Sequence, residues 1–197
     1  SALAALLAIL LPGLPALAAP NNWTNIASGL WRVAPGNWSA NAAPSRDSNV
    51  DPTQITNAGT KTITIDSGTS VGNLSLRSMT ISAVVGSTNT LALENVPLGT
   101  PLTTSKPLLV GSRAILAITN SAVSTADSFD IAGGALILDS GSLTCAANCD
   151  LQSGSLTVNS GILNATLGTT GIRMGRFSGA TAKLTINDGT VNTLRVT

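Results

Sequence analysis

The chain has 197 residues, with 10 basic against 9 acidic side chains, no His and no Tyr; 43% of its residues are hydrophobic and only 10% are charged. The apolar fraction excludes a disordered chain, and the scarcity of Glu, Lys and Arg argues against helices with solvated outer faces. A net charge of +1 gives no electrostatic reason for a nucleic-acid or acidic-lipid partner.

The chain opens on an apolar run, "SALAALLAILLPGLPALA", broken at Pro12-Gly13 and closed by Ala16-Leu17-Ala18. Small residues in an A-x-A pattern behind a short apolar stretch are the end of a signal peptide, here expected as a helix over 1–18 without its basic n-region, cleaved after Ala18. The unbroken part, Ala2 to Leu11, is too short to span a bilayer. The expectation is an exported protein, secreted or at the cell surface, with no membrane span in the mature chain.

Residues 19–60 hold all three tryptophans, Trp23, Trp31 and Trp38, together with Pro35, Pro44 and Pro52, and no periodicity lasts there. The repeats begin immediately afterwards, so the expectation is an N-terminal cap in which the rings cover the open end of the repeat array. The alternative is exposed rings that stack on sugars.

From Lys61 to Thr197 apolar and polar residues alternate. Ile63 and Ile65, Leu91 and Leu93, Leu116 and Ile118, Leu136 and Leu138, Leu156 and Val158, and Leu184 and Ile186 each share one face of a strand. The pairs begin at intervals of 28, 25, 20, 20 and 28 residues, a repeat period suited to one strand per coil of a solenoid. Gly68, Gly141, Gly161 and Gly189 each follow an Asx-Ser or Asn-Asp dipeptide. An Asx side chain bonds its own downstream backbone and glycine accepts positive φ, so these steps predict tight corners. Hairpins are the competing reading of Asx-Gly; recurrence once per period favours corners. "IRMG" at 172–175 returns as "LRVT" at 194–197, which predicts Arg173 and Arg195 on the outside, one above the other, with Leu194 and Val196 inward.

Cys145 and Cys149 are the only thiols. A disulfide closing the loop between them is the expected state in an exported chain, ahead of metal binding or free thiols. Without His, the usual general base and most metal sites are missing. Asp127 and Asp130 are the one close acidic pair, and a solvated loop is their simplest reading. A basic stripe formed by Arg173, Arg176 and Arg195 for an acidic glycan competes with ordinary solvated surface.

The block "GIRMGRFSGATAKLTINDGTVNTLRVT" resembles the repeat of secreted bacterial β-solenoid proteins, namely autotransporter-associated β-strand repeat proteins and proteins carrying PEP-CTERM sorting signals. "GLWRVAPGNWSANAAPSRDSNV" is similar to their opening segment, with Trp31, Asn37, Trp38, Pro44, Asp47 and Val50 at the matching positions. The resemblance covers roughly residues 29–197 and departs from the pattern in 94–134, where no rung register follows. It implies an all-β chain forming a right-handed parallel β-helix, or β-solenoid.

The reading as a whole is a non-catalytic structural or adhesive protein without cofactor, metal or nucleic-acid partner, facing extracellular polysaccharide or other surface proteins. A carbohydrate-binding module using Trp23, Trp31, Trp38, Arg173 and Arg195 is the first alternative. A polysaccharide-degrading enzyme using Asp127 or Asp130 is the second.

Overall fold

The computed structural model describes residues 19–45, 52–166 and 171–197. The expected signal peptide, together with Asp47 and Val50, lies outside the described residues. Among the described residues the strands form two sheets, one of twelve strands and one of six, and every pairing between named strands is parallel.

The chain visits three strips in turn. The first holds β3 (Thr53–Ile55), β6 (Met79–Ile81), β9 (Leu108–Val110), the opening parts of β12 (Phe129–Asp139) and β14 (Cys149–Val158), and β16 (Ile172–Met174). The second holds β4 (Lys61–Asp66), β7 (Asn89–Glu94), β10 (Ala114–Thr119), the later parts of β12 and β14, and β17 (Ala182–Ile186). The third is the six-stranded sheet: β5 (Ser75–Leu76), β8 (Leu102–Thr104), β11 (Ala122–Thr125), β13 (Ser142–Cys145), β15 (Ile162–Ala165) and β18 (Thr190–Thr193). Because β12 and β14 run from the first strip into the second, the large sheet curls rather than lying flat. An all-β chain with this pairing is compatible with the β-helix that the periodicity predicts.

The aliphatic alternation sets the register. Ile63, Leu91, Leu116, Leu136, Leu156 and Leu184 are direct partners on successive strands of the second strip, at the intervals the sequence shows. Leu102, Val123, Leu143, Leu163 and Val191 do the same in the third. Both columns face one hydrophobic core, and all but the members in the last strands, Leu184 and Val191, are fully enclosed. Each enclosed aliphatic is worth about 2 kcal/mol relative to exposure, and a slip of one residue would turn the whole set to water. The segment 94–134, left without register above, is ordinary here: Leu102–Thr104 joins the third strip and Leu108–Val110 the first.

The Asx-Gly steps are corners between the second and third strips, but not for the predicted reason. Gly68, Gly141, Gly161 and Gly189 do not have positive φ; at the second step the left-handed residue is Ser140, with φ 52°. Three of these glycines are required by close stacking. A Cβ on Gly141 would overlap the Ser121 carbonyl oxygen, one on Gly161 would lie 2.6 Å from the Gly141 carbonyl oxygen, and one on Gly189 2.8 Å from that of Gly161. Gly68 is different, since its Cβ would meet only side-chain atoms of Arg32 and Asp66, the nearest at 3.1 Å. The Asx residues also behave differently from expectation. Asp66 does bond its own loop, accepting from the Gly68 N–H. Asp139, Asn159 and Asn187 instead form a ladder between strands: Asn187 Nδ2 donates to Asn159 Oδ1, and Asn159 Nδ2 to Asp139 Oδ1, each at 2.6 Å.

The tryptophan-rich segment is the first layer of the same sheet. β1 (Asn21–Asn22) pairs with β3, and β2 (Gly29–Leu30) with β4. The chain then folds back, and Trp38 bridges Trp23 in the antiparallel sense. That reversal ends the parallel ladder on this side.

Candidate functional site

The outer face of the first strip holds a cluster of charged side chains. Parallel pairing puts Asp130 beside Asp150 and Asp150 beside Arg173 on three successive strands. Asp150 occupies an outward position yet is only 3% exposed, because Arg173 lies over it. Arg173 Nε and Nη2 each donate to one carboxylate oxygen of Asp150, a two-pronged pair. Arg176 Nη1 stands 3.8 Å from the same carboxylate. Asp130 accepts from Ser128 Oγ at 2.7 Å and from Gln152 Nε2 at 3.4 Å.

The electrostatics separate the two acids. Burial, chiefly, pushes the Asp130 carboxyl above the ordinary carboxylate value; the Asp150 charge adds to this, while Ser128, Gln152 and Arg173 oppose it. The hydrogen bond to Asp150 pushes Arg173 further up, so it stays charged. Asp150 and Arg173 thus satisfy each other, Asp130 is held by Ser128 and Gln152, and Arg173 is engaged within the protein rather than offered to an external anion. What the cluster can do is bind a proton at Asp130 and lock the register of β14 against β16.

The other expected residues fall as follows. Asp127 does not pair with Asp130; its Oδ1 accepts from the Ser128 N–H and shapes its own loop. Asp150 is the partner that sequence reading missed. The signal was present, since Asp130 and Asp150 are 20 residues apart, the same interval as Leu136 and Leu156. Arg195 is not above Arg173. Ile172 pairs with Val196, which sets Arg173 beside Thr197, two positions from the alignment that matching "IRMG" to "LRVT" gives. Leu194 and Val196 are exposed, at 62% and 50%, although Val196, as the bridge partner of buried Ile172, shares the inward face.

Trp23, Trp31 and Trp38 are all fully buried and meet edge-to-face, with centroids 5.1 Å apart for Trp23–Trp38 and 4.7 Å for Trp31–Trp38. Trp38 Nε1 donates to the Trp31 carbonyl and Trp31 Nε1 to the Asn73 carbonyl. Stacking on a sugar needs an open ring face, and none of the three presents one. Gly29 makes room for this cluster: a Cβ there would come within 3.2 Å of the Trp23 ring.

The expected disulfide is not formed. Cys145 and Cys149 are free, buried thiols at the corner between β13 and β14. Their side chains are hydrogen-bonded to each other, and that bond, followed by burial, holds the Cys145 thiol well above its ordinary pKa. Among the described residues, no group of three or more His, Cys, Asp or Glu side chains is placed to hold a metal ion, and no helix is long and apolar enough to cross a membrane. Comparison with protein-family models, with curated proteins and with solved structures finds no match to this chain.

Proposed function

We propose that the chain is the β-solenoid part of an exported bacterial protein, a right-handed parallel β-helix with a structural or adhesive role at the cell surface or in extracellular matrix. The observation that carries this reading is the unbroken column from Ile63 to Leu184, in which each layer repeats the one before and adds length. Layers that stack like on like make a stiff spacer with a repetitive outside. The buried Trp cluster supports a cap over the first layer, and the apolar leader ending at Ala18 supports export through a signal peptide. The repeat motif resembles autotransporter-associated and PEP-CTERM-type surface proteins, and its partners are extracellular polysaccharide or other surface proteins. The self-satisfied Asp130–Asp150–Arg173 cluster supports a non-catalytic reading over a polysaccharide-degrading enzyme.

The test is to express the full chain in an export-competent bacterium, locate it by fractionation and measure the mass of its N-terminal peptide. Small-angle scattering then gives its shape. An extracellular elongated particle beginning at Ala19, inert toward neutral and uronate polysaccharides, is expected. A compact rather than elongated particle, or turnover of any such glycan that is lost in Asp130→Asn, overturns the proposal.

A further inference from the structure

The chain turns from the third strip into the first once per layer, and inward side chains stack at these turns. Thr125 and Phe129 flank the turn in one layer, and Cys145 and Cys149 stand beside them in the next. The two layers hold this turn differently. Thr125 Oγ1 accepts from the Asp127 N–H at 3.3 Å and donates toward the Asp127 and Ser128 carbonyls, at 3.1 and 3.4 Å. One hydroxyl thereby ties down its whole turn. Cys145 takes the same place, but a thiol is a weak donor and a weak acceptor. Its bond runs across the turn instead, to the Cys149 thiol. Both thiols are enclosed, Cys145 at 0% exposure and Cys149 at 1%, and Cys149 lies between the buried Phe129 and Ile172. Among the described residues, no third Cys, His or carboxylate joins the pair to make a metal site.

We propose that this turn is a redox latch: the fold holds Cys145 and Cys149 so that a disulfide forms between them and closes the turn covalently. The oxidant is a disulfide of low molecular mass, such as oxidised glutathione. One Cys gives its proton to solvent, and its thiolate attacks a sulfur of the oxidant, whose S–S bond breaks and releases one thiolate. The second Cys, likewise deprotonated, attacks the mixed disulfide, forms the Cys145–Cys149 bond and expels the second thiolate. The two expelled thiolates take up the two protons, so the pair loses two electrons and the oxidant gains them. Enclosure makes the first attack wait for a local opening of the turn, so the latch closes slowly in the folded chain. The new bond then does across 145–149 what the Thr125 hydroxyl does across 125–128. The inference rests on this turn alone and holds in whichever compartment the chain resides. Fold and bond are also linked. Closing a loop this short lowers the unfolding constant by roughly thirtyfold. Around the thermodynamic cycle, folding then favours the disulfide over the dithiol by the same factor.

The test is an equilibrium titration of the full chain against mixtures of reduced and oxidised glutathione, in buffer and in concentrated urea. Equilibrium is approached from both the reduced and the oxidised chain, so that slow closure is not read as none. Samples quenched in acid are assayed for free thiols and for intact mass. The expected result is a single chain two hydrogens lighter, with an oxidation constant at least about tenfold larger in buffer than in urea. The oxidised chain should also unfold at a higher urea concentration than the reduced one. An oxidation constant no larger in the folded chain overturns the proposal, because the fold would then oppose the bond. So does a glutathione adduct, or a disulfide-linked pair of chains, as the main folded product. No substitution is involved, so misfolding of a variant does not obscure the outcome.

Discussion

Asp150 and Arg173 are direct partners on neighbouring parallel strands and share two hydrogen bonds across the outer face of the first strip. The carboxylate is almost fully enclosed while the guanidinium retains about a quarter of its exposure. Removing the cation therefore strands a buried anion. Arg173→Met is expected to cost about 2–3 kcal/mol, below the ~3–5 typical of breaking a fully enclosed pair. Asp150→Asn in the same chain should return much of that loss. Urea denaturation of both single variants and the double variant measures the coupling; strictly additive losses would show that the pair contributes nothing.

The corner glycines give a sharper contrast. Gly141→Ala places a Cβ on the Ser121 carbonyl oxygen and within 3.0 Å of Ile118, where backbone and core must both shift. The expected loss is about 2 kcal/mol or more, the scale of overpacking a close-packed site. Gly68→Ala meets side-chain atoms of Arg32 and Asp66 first, the nearest at 3.1 Å, rather than backbone, and should stay within about 0.5 kcal/mol of the parent. Thermal unfolding of the two variants decides between a requirement set by stacking and one set by sequence motif, since both glycines sit in the same Asp-Ser-Gly step.

The tryptophans should be unequal toward replacement by phenylalanine. Trp38 Nε1 bonds the Trp31 carbonyl, whereas Trp23 Nε1 is enclosed with no acceptor. Trp38→Phe loses that bond along with ring volume, and Trp23→Phe loses volume alone. The first is expected to be about 1 kcal/mol the more destabilising, the usual net worth of one hydrogen bond. In the parent protein the fluorescence of all three should be blue-shifted and insensitive to added soluble glycans.

Asp130 gives the fold a pH dependence. Its carboxyl holds a proton more tightly in the fold than in the unfolded chain, because burial and the Asp150 charge raise its pKa. Its contribution to stability is therefore complete below the unfolded carboxylate value and declines as pH rises through the raised one. Asp130→Asn removes that titration and keeps an acceptor for Ser128. Relative to the parent, the variant should be favoured most near neutral pH, with the difference narrowing on acidification. A difference that does not change with pH would contradict this.

Cys145 should be sluggish toward thiol reagents. The hydrogen bond its own thiol makes to Cys149, and enclosure, keep it protonated at mildly alkaline pH, and the thiolate is the reactive form. Alkylation with iodoacetamide is expected to be at least about tenfold slower in the native protein than in urea, where both cysteines react freely.

The aliphatic pairs announced the second strip because period-two alternation has a direct spatial meaning: residues two apart face the same way. Leu143, Leu163 and Val191, each two residues past a corner glycine, mark the third. The first strip is hard to read, since most of its inward pairs come in three-residue strands such as Met79–Ile81 and Leu108–Val110, too short for a period to register. The misread alignment of Arg173 with Arg195 has a related cause. Two short copies can be matched at several offsets, and only the hydrogen bonds around Ile172 and Val196 select one.

The amino-acid sequence by itself determined that the chain is of the all-β class, that its aliphatic positions repeat, and that corners fall at its Asx-Gly steps. These properties belong to single residues and their near neighbours, and local sterics and side-chain direction decide them. Only the tertiary structure decided which residues of different layers touch: Asp130 with Asp150, Asp150 with Arg173, Gly161 over Gly141, Trp23 against Trp38. Such contacts depend on the number of residues in each circuit. That number varies from layer to layer, because loops on the outside can lengthen while the core register stays fixed.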